Sequence, residues 1–210
     1  MRLSVNVEVI TVEEMRKPDA YIYGGLPLSS CTSGFSVRQT GEPGYKGITT
    51  AGHCSNSLSY NGTSLTFMSQ ILSGSYDIQW HRAPGFTVTN KIKDGSNTTR
   101  NITATLHRNN QTIGGYVCKY GKTTGYTCGY ISSKTICPSS VPNCGATFIR
   151  VDNTAGYNDL SSSGDSGGPW FLVNTAYGTH VGSPADDPND AVYMAVNYVG
   201  GLGVSVMTSP

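Results

Sequence analysis

The sequence predicts an all-β protein, because its composition and the spacing of its turn-forming residues both favour strands and turns over helices. Glycine accounts for 26 and tyrosine for 13 of the 210 residues, and long Ala, Leu, Glu and Lys stretches are missing. Short runs bounded by Gly, Pro, Asn or Ser are typical of a sandwich or barrel. The clearest of these runs are Gly34–Val37, Ile78–Trp80, Thr147–Val151 and Val204–Met207. Only the segment Asp190–Val199 predicts a helix.

The low charge of the chain argues against several kinds of partner. Charged residues make up 13% of the chain and the net charge is +1, without a strongly basic or acidic stretch. We therefore expect no binding to nucleic acid or to an anionic membrane. No apolar run approaches the roughly 18–20 residues that are needed to cross a bilayer. The length suits one large domain or two small ones, and no internal repeat or Pro/Ser linker divides the chain.

The six cysteines fall into three pairs that are close in sequence: Cys31 and Cys54, Cys118 and Cys128, and Cys137 and Cys144. An even number of cysteines in a charge-poor chain indicates disulfide bonds and a secreted protein, since cytosolic thiols stay reduced. Metal binding is the rival interpretation, but Cys-x-x-Cys is absent and no histidine has a zinc-like spacing. A bridge across the 23-residue separation of the first pair would contribute about 3 kcal/mol in the chain-entropy model.

A serine surrounded by small residues is the first signal for a reaction. Residues 161–170 read SSSGDSGGPW, in which Gly164, Gly167 and Gly168 surround Ser166. Glycine permits backbone conformations and close approaches that other residues do not. The segment therefore predicts a tight loop that presents Ser166 as a nucleophile.

A nucleophilic serine needs a base, and the base needs an orienting group. His53 is the best candidate for the base, because it lies in TAGHC at residues 50–54, where a bridge from Cys31 would fix its backbone beside the core. Asp77 lies at the start of the apolar run in SYDIQW, residues 75–80. A buried carboxylate there would need a partner, and an imidazole would serve.

Three motifs in this order, TAGHC, YDIQW and GDSGGPW, resemble the His, Asp and Ser motifs of the chymotrypsin-like serine proteases. Further segments resemble the secreted bacterial subgroup of streptogrisins and α-lytic protease, and these segments are Ile22–Gly25, Cys31–Val37, Val117–Gly129 and Leu202–Val206. The resemblance implies two six-stranded antiparallel Greek-key barrels with a C-terminal helix and an active site between them. It also implies a protease domain over residues 22–210, with the boundary between its barrels near 95–112. Residues 1–21 resemble the tail of a pro-region or an N-terminal extension.

The resemblance also implies the roles of the central residues. Ser166 would attack the scissile carbonyl, His53 would relay the proton, and Asp77 would hold the imidazole. The backbone amides of Gly164 and Ser166 would form the oxyanion hole. Asp165 would be structural, without the activation switch in which the pancreatic-type members use this residue.

The specificity pocket is inferred by the same resemblance. The usual pocket floor, six residues before the nucleophile, holds Leu160, so the Asp that selects Lys or Arg is absent. The segment GTHVGS at residues 178–183 resembles the strand that lines the pocket, which places His180, Val181, Gly182 and Ser183 at the substrate.

Glutamyl endopeptidases of this fold have a histidine at the place of His180, and the streptogrisin relative has serines that match Ser163 and Ser183. A histidine with two hydroxyls could hold a substrate carboxylate through charge-assisted hydrogen bonds. We therefore expect cleavage after Glu, with Asp weaker. Two alternatives stay open: a protease that prefers apolar or small residues, with His180 a structural histidine, and a catalytically inactive binding module.

The remaining candidates predict little chemistry. His81 and His107 are expected to be solvated surface groups. The acidic loop with Asp186, Asp187 and Asp190 is interpreted as an ordinary turn, so no metal and no cofactor is expected. The partners implied by the family are protein or peptide substrates, the chain's own pro-region and protein protease inhibitors. We expect a secreted monomer.

Overall fold

The computed structural model describes residues 20–41, 43–153, 156 and 159–210, and most of their regular structure is β-strand. The strands in chain order are β1 (Tyr21–Gly24), β2 (Ser36–Gln39), β3 (Lys46–Thr50), β4 (Ser59–Tyr60), β5 (Thr63–Ser64), β6 (Thr66–Ser73), β7 (Tyr76–Arg82), β8 (Thr87–Lys93), β9 (Thr99–Asn101), β10 (Ala104–Thr105), β11 (Tyr116–Gly121), β12 (Gly125–Ile136), β13 (Phe148–Asp152), β14 (Pro169–Leu172), β15 (Thr175–Gly182), β16 (Ala191–Ala195) and β17 (Val204–Val206). The described residues also form two 3₁₀ helices, Arg108–Asn110 and Val196–Leu202. The all-β prediction is confirmed. The pro-region predicted at residues 1–21 lies outside the described residues, except for Ala20 and Tyr21.

The C-terminal half of the chain forms a closed barrel of six strands. Its strands follow the order β15-β14-β11-β12-β13-β16, and β16 pairs back onto β15. The short strand β10 extends this sheet by pairing with β15 in parallel. The interior is filled by fully buried aliphatic and aromatic side chains, among them Val117, Ile131, Trp170 and Tyr193.

The N-terminal half is more open than the predicted second barrel. Five strands pair in the order β17-β2-β3-β7-β6, while β1, β8 and β9 form a separate sheet of three. The two sheets do not join into one hydrogen-bonded barrel, because β1 pairs in parallel with β8 and not with β2 or β3. The prediction of two closed six-stranded antiparallel barrels is therefore wrong for this half of the molecule.

The helix predicted at Asp190–Val199 is also wrong. Ala191–Ala195 forms β16, which lies between β13 and β15, and all five residues are buried. A strand that is buried on both faces shows no alternation of polar and apolar residues, so its sequence resembles that of a buried helix. The C-terminal helical turn is the 3₁₀ segment Val196–Leu202, which ends at Gly203 with φ 70°.

The three cysteine pairs are joined as the sequence suggested. Cys31–Cys54 ties the segment before β2 to the loop that follows β3, Cys118–Cys128 lies across the β11–β12 hairpin, and Cys137–Cys144 closes the loop after β12. None of the helices among the described residues has the length and apolar character that crossing a bilayer requires.

Candidate active site

His53, Asp77 and Ser166 form one continuous hydrogen-bonded chain. They come from three places in the fold: the loop after β3, strand β7 and the loop before β14. His53 Nδ1 lies 2.7 Å from Asp77 Oδ2, and His53 Nε2 lies 2.9 Å from Ser166 Oγ. The Asp77 side chain is fully buried, whereas 29% of the His53 side chain is exposed. The chain therefore runs from a buried carboxylate to a hydroxyl at the surface.

Asp77 fixes both the orientation and the charge preference of His53. Its Oδ1 accepts a hydrogen bond of 2.9 Å from the His53 backbone N–H, while its Oδ2 accepts from the ring. A ring that donates from Nδ1 leaves Nε2 as the acceptor for the Ser166 hydroxyl. The hydrogen bond with Asp77 raises the pKa of His53 above 6.5, against the opposing effect of burial. Gly52 permits this close approach, since a Cβ at that position would lie 2.6 Å from the Ile78 amide nitrogen.

The loop that carries Ser166 is tight, as its glycines predicted. Gly164 and Gly167 have φ values of +99° and +88°, in the region that favours glycine. A Cβ on Gly167 would lie 2.1 Å from Thr50 Oγ1, so the loop packs directly against the end of β3. The Ser166 carbonyl accepts a hydrogen bond of 2.9 Å from the Thr32 amide.

The two predicted oxyanion donors lie in this loop. Within the part of the chain that the structure describes, neither the Gly164 nor the Ser166 backbone N–H donates a hydrogen bond to a protein acceptor. The Gly164 carbonyl instead accepts from Thr32 Oγ1 at 2.8 Å. Backbone N–H groups without protein partners next to a nucleophile are what an oxyanion hole requires.

A buried ion pair holds the loop that carries Ser166 against strand β11. Lys119 Nζ lies 3.0 Å from Asp165 Oδ2, and neither side chain is exposed. Thr124 Oγ1 donates to the same carboxylate at 2.6 Å, and the Thr123 amide donates to it at 2.8 Å. Burial alone would raise the pKa of Asp165, but the Lys119 charge and these hydrogen bonds outweigh burial and lower it below 3.8. Sequence reasoning missed Lys119, because a lysine inside VCKYG shows no sign of burial.

Strand β15 brings the predicted pocket residues next to the nucleophile loop. The His180 amide donates to the Gly168 carbonyl at 2.9 Å, and its carbonyl accepts from the Gly167 amide at 2.8 Å. The next carbonyl, that of Val181, lies 3.5 Å from Ser166 Oγ. Gly182 ends the strand. The structure thus places His180, Val181 and Gly182 in sequence alongside Ser166.

The His180 ring is buried within the C-terminal barrel. Its Nδ1 accepts a hydrogen bond of 3.3 Å from Trp170 Nε1, and the Trp170 ring stacks on Tyr193 at 5.2 Å between centroids. Burial, together with the Lys119 and His53 charges, lowers the pKa of His180 to about 3, and the Asp165 charge opposes this only in part. His180 is therefore neutral at pH 7 and carries its proton on Nε2, because Nδ1 is an acceptor. The sequence contained no sign that Trp170 would be its partner.

The two predicted pocket serines have other contacts. Ser183 Oγ lies 2.9 Å from Ser161 Oγ, and the Ser163 carbonyl accepts from Thr123 Oγ1 at 2.7 Å. The described residues show no hydrogen bond that joins His180 to either serine. Leu160, the predicted pocket floor, is fully buried. Ser161, which sequence reasoning did not select, therefore belongs among the polar groups of this region.

A cavity of about 510 Å³ adjoins the end of β15. Val181, Gly182 and Ser183 line one side of it, and Arg150 and Asp186 lie on another. Arg150 contacts three carboxylates, with Nη1 2.7 Å from Asp186, Nη2 2.7 Å from Asp190 and Nε 3.5 Å from Asp152. One cation beside three anions leaves a negative local charge next to Ser183.

The expectation for His81 is wrong, and that for His107 is confirmed. His107 is exposed. His81 is fully buried, and its Nε2 lies 2.9 Å from Gln79 Oε1. Strand β7 lies inside its sheet, between β3 and β6, and its residues from Asp77 to His81 are all buried, so the side chains on both of its faces are covered by the rest of the fold.

The chain is similar to known serine proteases in sequence and in structure, although no family model matches it. It is 27% identical to serine protease 1 of Rarobacter faecitabidus over 206 residues, which cover 91% of this chain. The same residues span 36% of that relative.

Solved structures show a similar fold. Thermobifida fusca protease A is 27% identical with a TM-score of 0.74, and the match covers 90% of this chain and 100% of that protein. A Nocardiopsis protease is 24% identical with a TM-score of 0.73, covering 90% and 100% of the two chains. A glutamic acid-specific serine protease that uses a histidine triad in substrate binding is 22% identical with a TM-score of 0.72, covering 89% and 100%. The sequence match, the all-β fold and the Ser166–His53–Asp77 geometry make the chain similar to the chymotrypsin-like bacterial serine proteases of the streptogrisin and α-lytic type.

Proposed function

We propose that this chain is a secreted serine endopeptidase that hydrolyses peptide bonds through an acyl-enzyme. The observation that carries the proposal is the hydrogen-bonded chain from buried Asp77 through His53 to the Ser166 hydroxyl. The three disulfides support the proposed secretion, because such bonds persist in oxidising compartments. Protein or peptide substrates, a pro-region and protein inhibitors are its proposed partners.

The proposed mechanism follows from the geometry of these three residues. As Ser166 Oγ attacks the scissile carbonyl, His53 Nε2 takes the hydroxyl proton and Asp77 stabilises the resulting imidazolium. The amides of Gly164 and Ser166 would bind the oxyanion. His53 then gives the proton to the leaving amine as the C–N bond breaks. Water repeats the sequence on the acyl-enzyme, which releases the acid and restores Ser166.

For specificity, we propose cleavage after Glu, with Asp weaker. The support is a neutral His180 beside the nucleophile loop, with an Nε2–H group to donate, together with the hydroxyls of Ser183 and Ser163. Hydrogen bonds from neutral donors to a carboxylate are charge-assisted and contribute roughly 1.5–3 kcal/mol each. The glutamic acid-specific neighbour of similar fold is consistent with this proposal.

A preference for apolar or small residues is the second candidate, and two observations favour it. His180 packs among Trp170 and Tyr193, as a structural histidine would. The carboxylates around Arg150 place negative charge close to Ser183, which would repel an acidic substrate side chain. Under this candidate the catalytic chemistry is unchanged and only the substrate differs.

The experiment is a comparison of peptides that differ only in the residue on the acyl side of the cut: Glu, Gln, Asp, Leu, Ala or Lys. We expect kcat/KM for Glu to exceed that for Gln by more than about 10-fold. A Ser166→Ala variant should cleave none of the peptides. Preference for Leu or Ala would reject the glutamyl assignment and keep the protease. No cleavage of any peptide by the wild type would favour an inactive binding module.

A further inference from the structure

Strand β7 carries three buried polar side chains on one face, and the proposed mechanism uses only the first. Asp77, Gln79 and His81 alternate along the strand, so their side chains project in the same direction. All three are fully buried. Burying an amide and an imidazole is costly unless their polar atoms are paired, so Gln79 and His81 need an explanation.

Gln79 holds the backbone on both sides of His53. Its Nε2 donates to the Ala51 carbonyl at 2.9 Å and to the Cys54 carbonyl at 2.9 Å. The carbonyl between them, that of Gly52, accepts from Gln70 Nε2 on β6. Side-chain amides thus pair with carbonyls on both sides of His53. The Cys31–Cys54 disulfide adds a covalent restraint at the end of the same loop.

His81 and two backbone carbonyls together define which way the Gln79 amide points. Because both Nε2 hydrogens of Gln79 are given to carbonyls, its Oε1 must be the acceptor of the 2.9 Å contact with His81 Nε2. His81 therefore donates from Nε2, and because burial lowers its pKa to about 4 the ring is neutral at pH 7. Its buried Nδ1 has no partner among the described residues. A flipped amide would place Oε1 against two carbonyl oxygens and Nε2 against an N–H donor.

We infer that Gln79 is a positioning residue for His53, with its amide oriented by His81, so that the imidazole stays aligned between Asp77 and Ser166. This inference rests on the proposed function. Without the amide, the Cys54 carbonyl would lose its side-chain donor, the Ala51 carbonyl would keep only the Cys54 backbone N–H at 3.2 Å, and the loop would shift to find other donors. Small displacements of a catalytic base cost large factors in rate, because reaction needs a near-attack geometry.

The test uses two pairs of variants. Gln79→Met keeps the volume of the side chain and removes its donor and acceptor. We expect kcat to fall roughly 10-fold to 100-fold, with KM changed by less than about 2-fold. His81→Leu should reproduce part of this loss. His81→Gln, which restores an N–H donor toward Gln79, should recover most of it.

A second readout is the titration of His53, which NMR can follow in a Ser166→Ala background without any turnover. The contact with Asp77 raises the pKa of His53, so a loosened loop should move that pKa downward in Gln79→Met. The matched control is Asn90→Leu, which removes another buried amide, one that donates to the Ile102 carbonyl at 2.8 Å. This control should lower stability and leave kcat and the His53 titration unchanged.

Two results would overturn the inference. One is a folded Gln79→Met variant with wild-type kcat and an unchanged His53 titration. The other is an equal effect of Asn90→Leu, which would assign Gln79 a merely structural role. If wild type cleaves no peptide, the proposed function fails, while the titration still reports whether Gln79 positions His53.

Discussion

The Lys119 ammonium lies 3.0 Å from the Asp165 carboxylate, one residue before Ser166 in the chain, and solvent reaches neither side chain. Removing one partner of a buried ion pair leaves an uncompensated charge and typically costs about 3–5 kcal/mol. Lys119→Met should therefore lower the free energy of unfolding by about this amount and reduce kcat/KM as the Ser166 loop relaxes. Denaturant unfolding and peptide kinetics measure the two effects. Lys91→Met, at an exposed position of β8, is the control and should change neither.

The same pair predicts how stability depends on pH. The folded pKa of Asp165 lies below 3.8, so its contribution to stability is present above that value and is lost as the pH falls through the folded pKa. In Lys119→Met the carboxylate is buried without its cation, which raises its pKa. The difference in thermal unfolding midpoint between wild type and variant should therefore begin to shrink as the pH falls through the raised pKa of the variant, above 3.8, and continue to shrink down to the lowered pKa of the wild type. A constant difference between pH 7 and pH 3 would contradict the coupling.

Activity should rise with pH across the titration of His53. The proposed base must be neutral, and Asp77 raises its pKa above 6.5. The acidic limb of the kcat/KM profile should therefore have a midpoint above 6.5. Asp77→Asn should lower kcat by about 10⁴-fold, because an asparagine holds the imidazole in the wrong tautomer. A profile flat from pH 5 to pH 9 would argue that another residue is the base.

His180 should control the substrate rather than the chemistry. If its Nε2–H binds a substrate carboxylate, His180→Leu should bring the ratio of kcat/KM for Glu over Gln close to 1 and leave hydrolysis of a Leu peptide within about 10-fold. Trp170→Phe, which removes the donor to His180 Nδ1 and keeps an aromatic ring, should weaken the Glu preference in part. An unchanged preference in His180→Leu would remove this residue from the pocket.

Alanine substitutions at two glycines separate the cost of a positive φ from the cost of a steric clash. Gly167 and Gly85 have similar φ values of +88° and +82°, but a Cβ would clash with Thr50 at Gly167 and meet no atom within 4 Å at Gly85. Gly85→Ala should cost about 1 kcal/mol from its φ alone. Gly167→Ala should cost roughly 3 kcal/mol or more and abolish activity. Equal losses of stability would show that the loop accommodates the methyl group.

The parts of the molecule that the sequence predicted are those with local chemistry. The glycines lie directly beside Ser166 and the cysteines pair in sequence order, so both features could be predicted from the chain. Lys119 and His81 could not, because their burial comes from strands that are distant in sequence. Ala191–Ala195 was misread for the same reason, since burial on both faces removes the alternation that marks a strand.

The proposed function requires Ser166 to be a nucleophile that His53 activates. A phosphonofluoridate that phosphonylates activated serines, followed by intact mass and peptide mapping, measures this without any assumption about the substrate. We expect one adduct per chain, located on Ser166, absent in Ser166→Ala and formed much more slowly in His53→Ala. An unmodified wild-type chain, or an adduct on another residue that persists in Ser166→Ala, would contradict it.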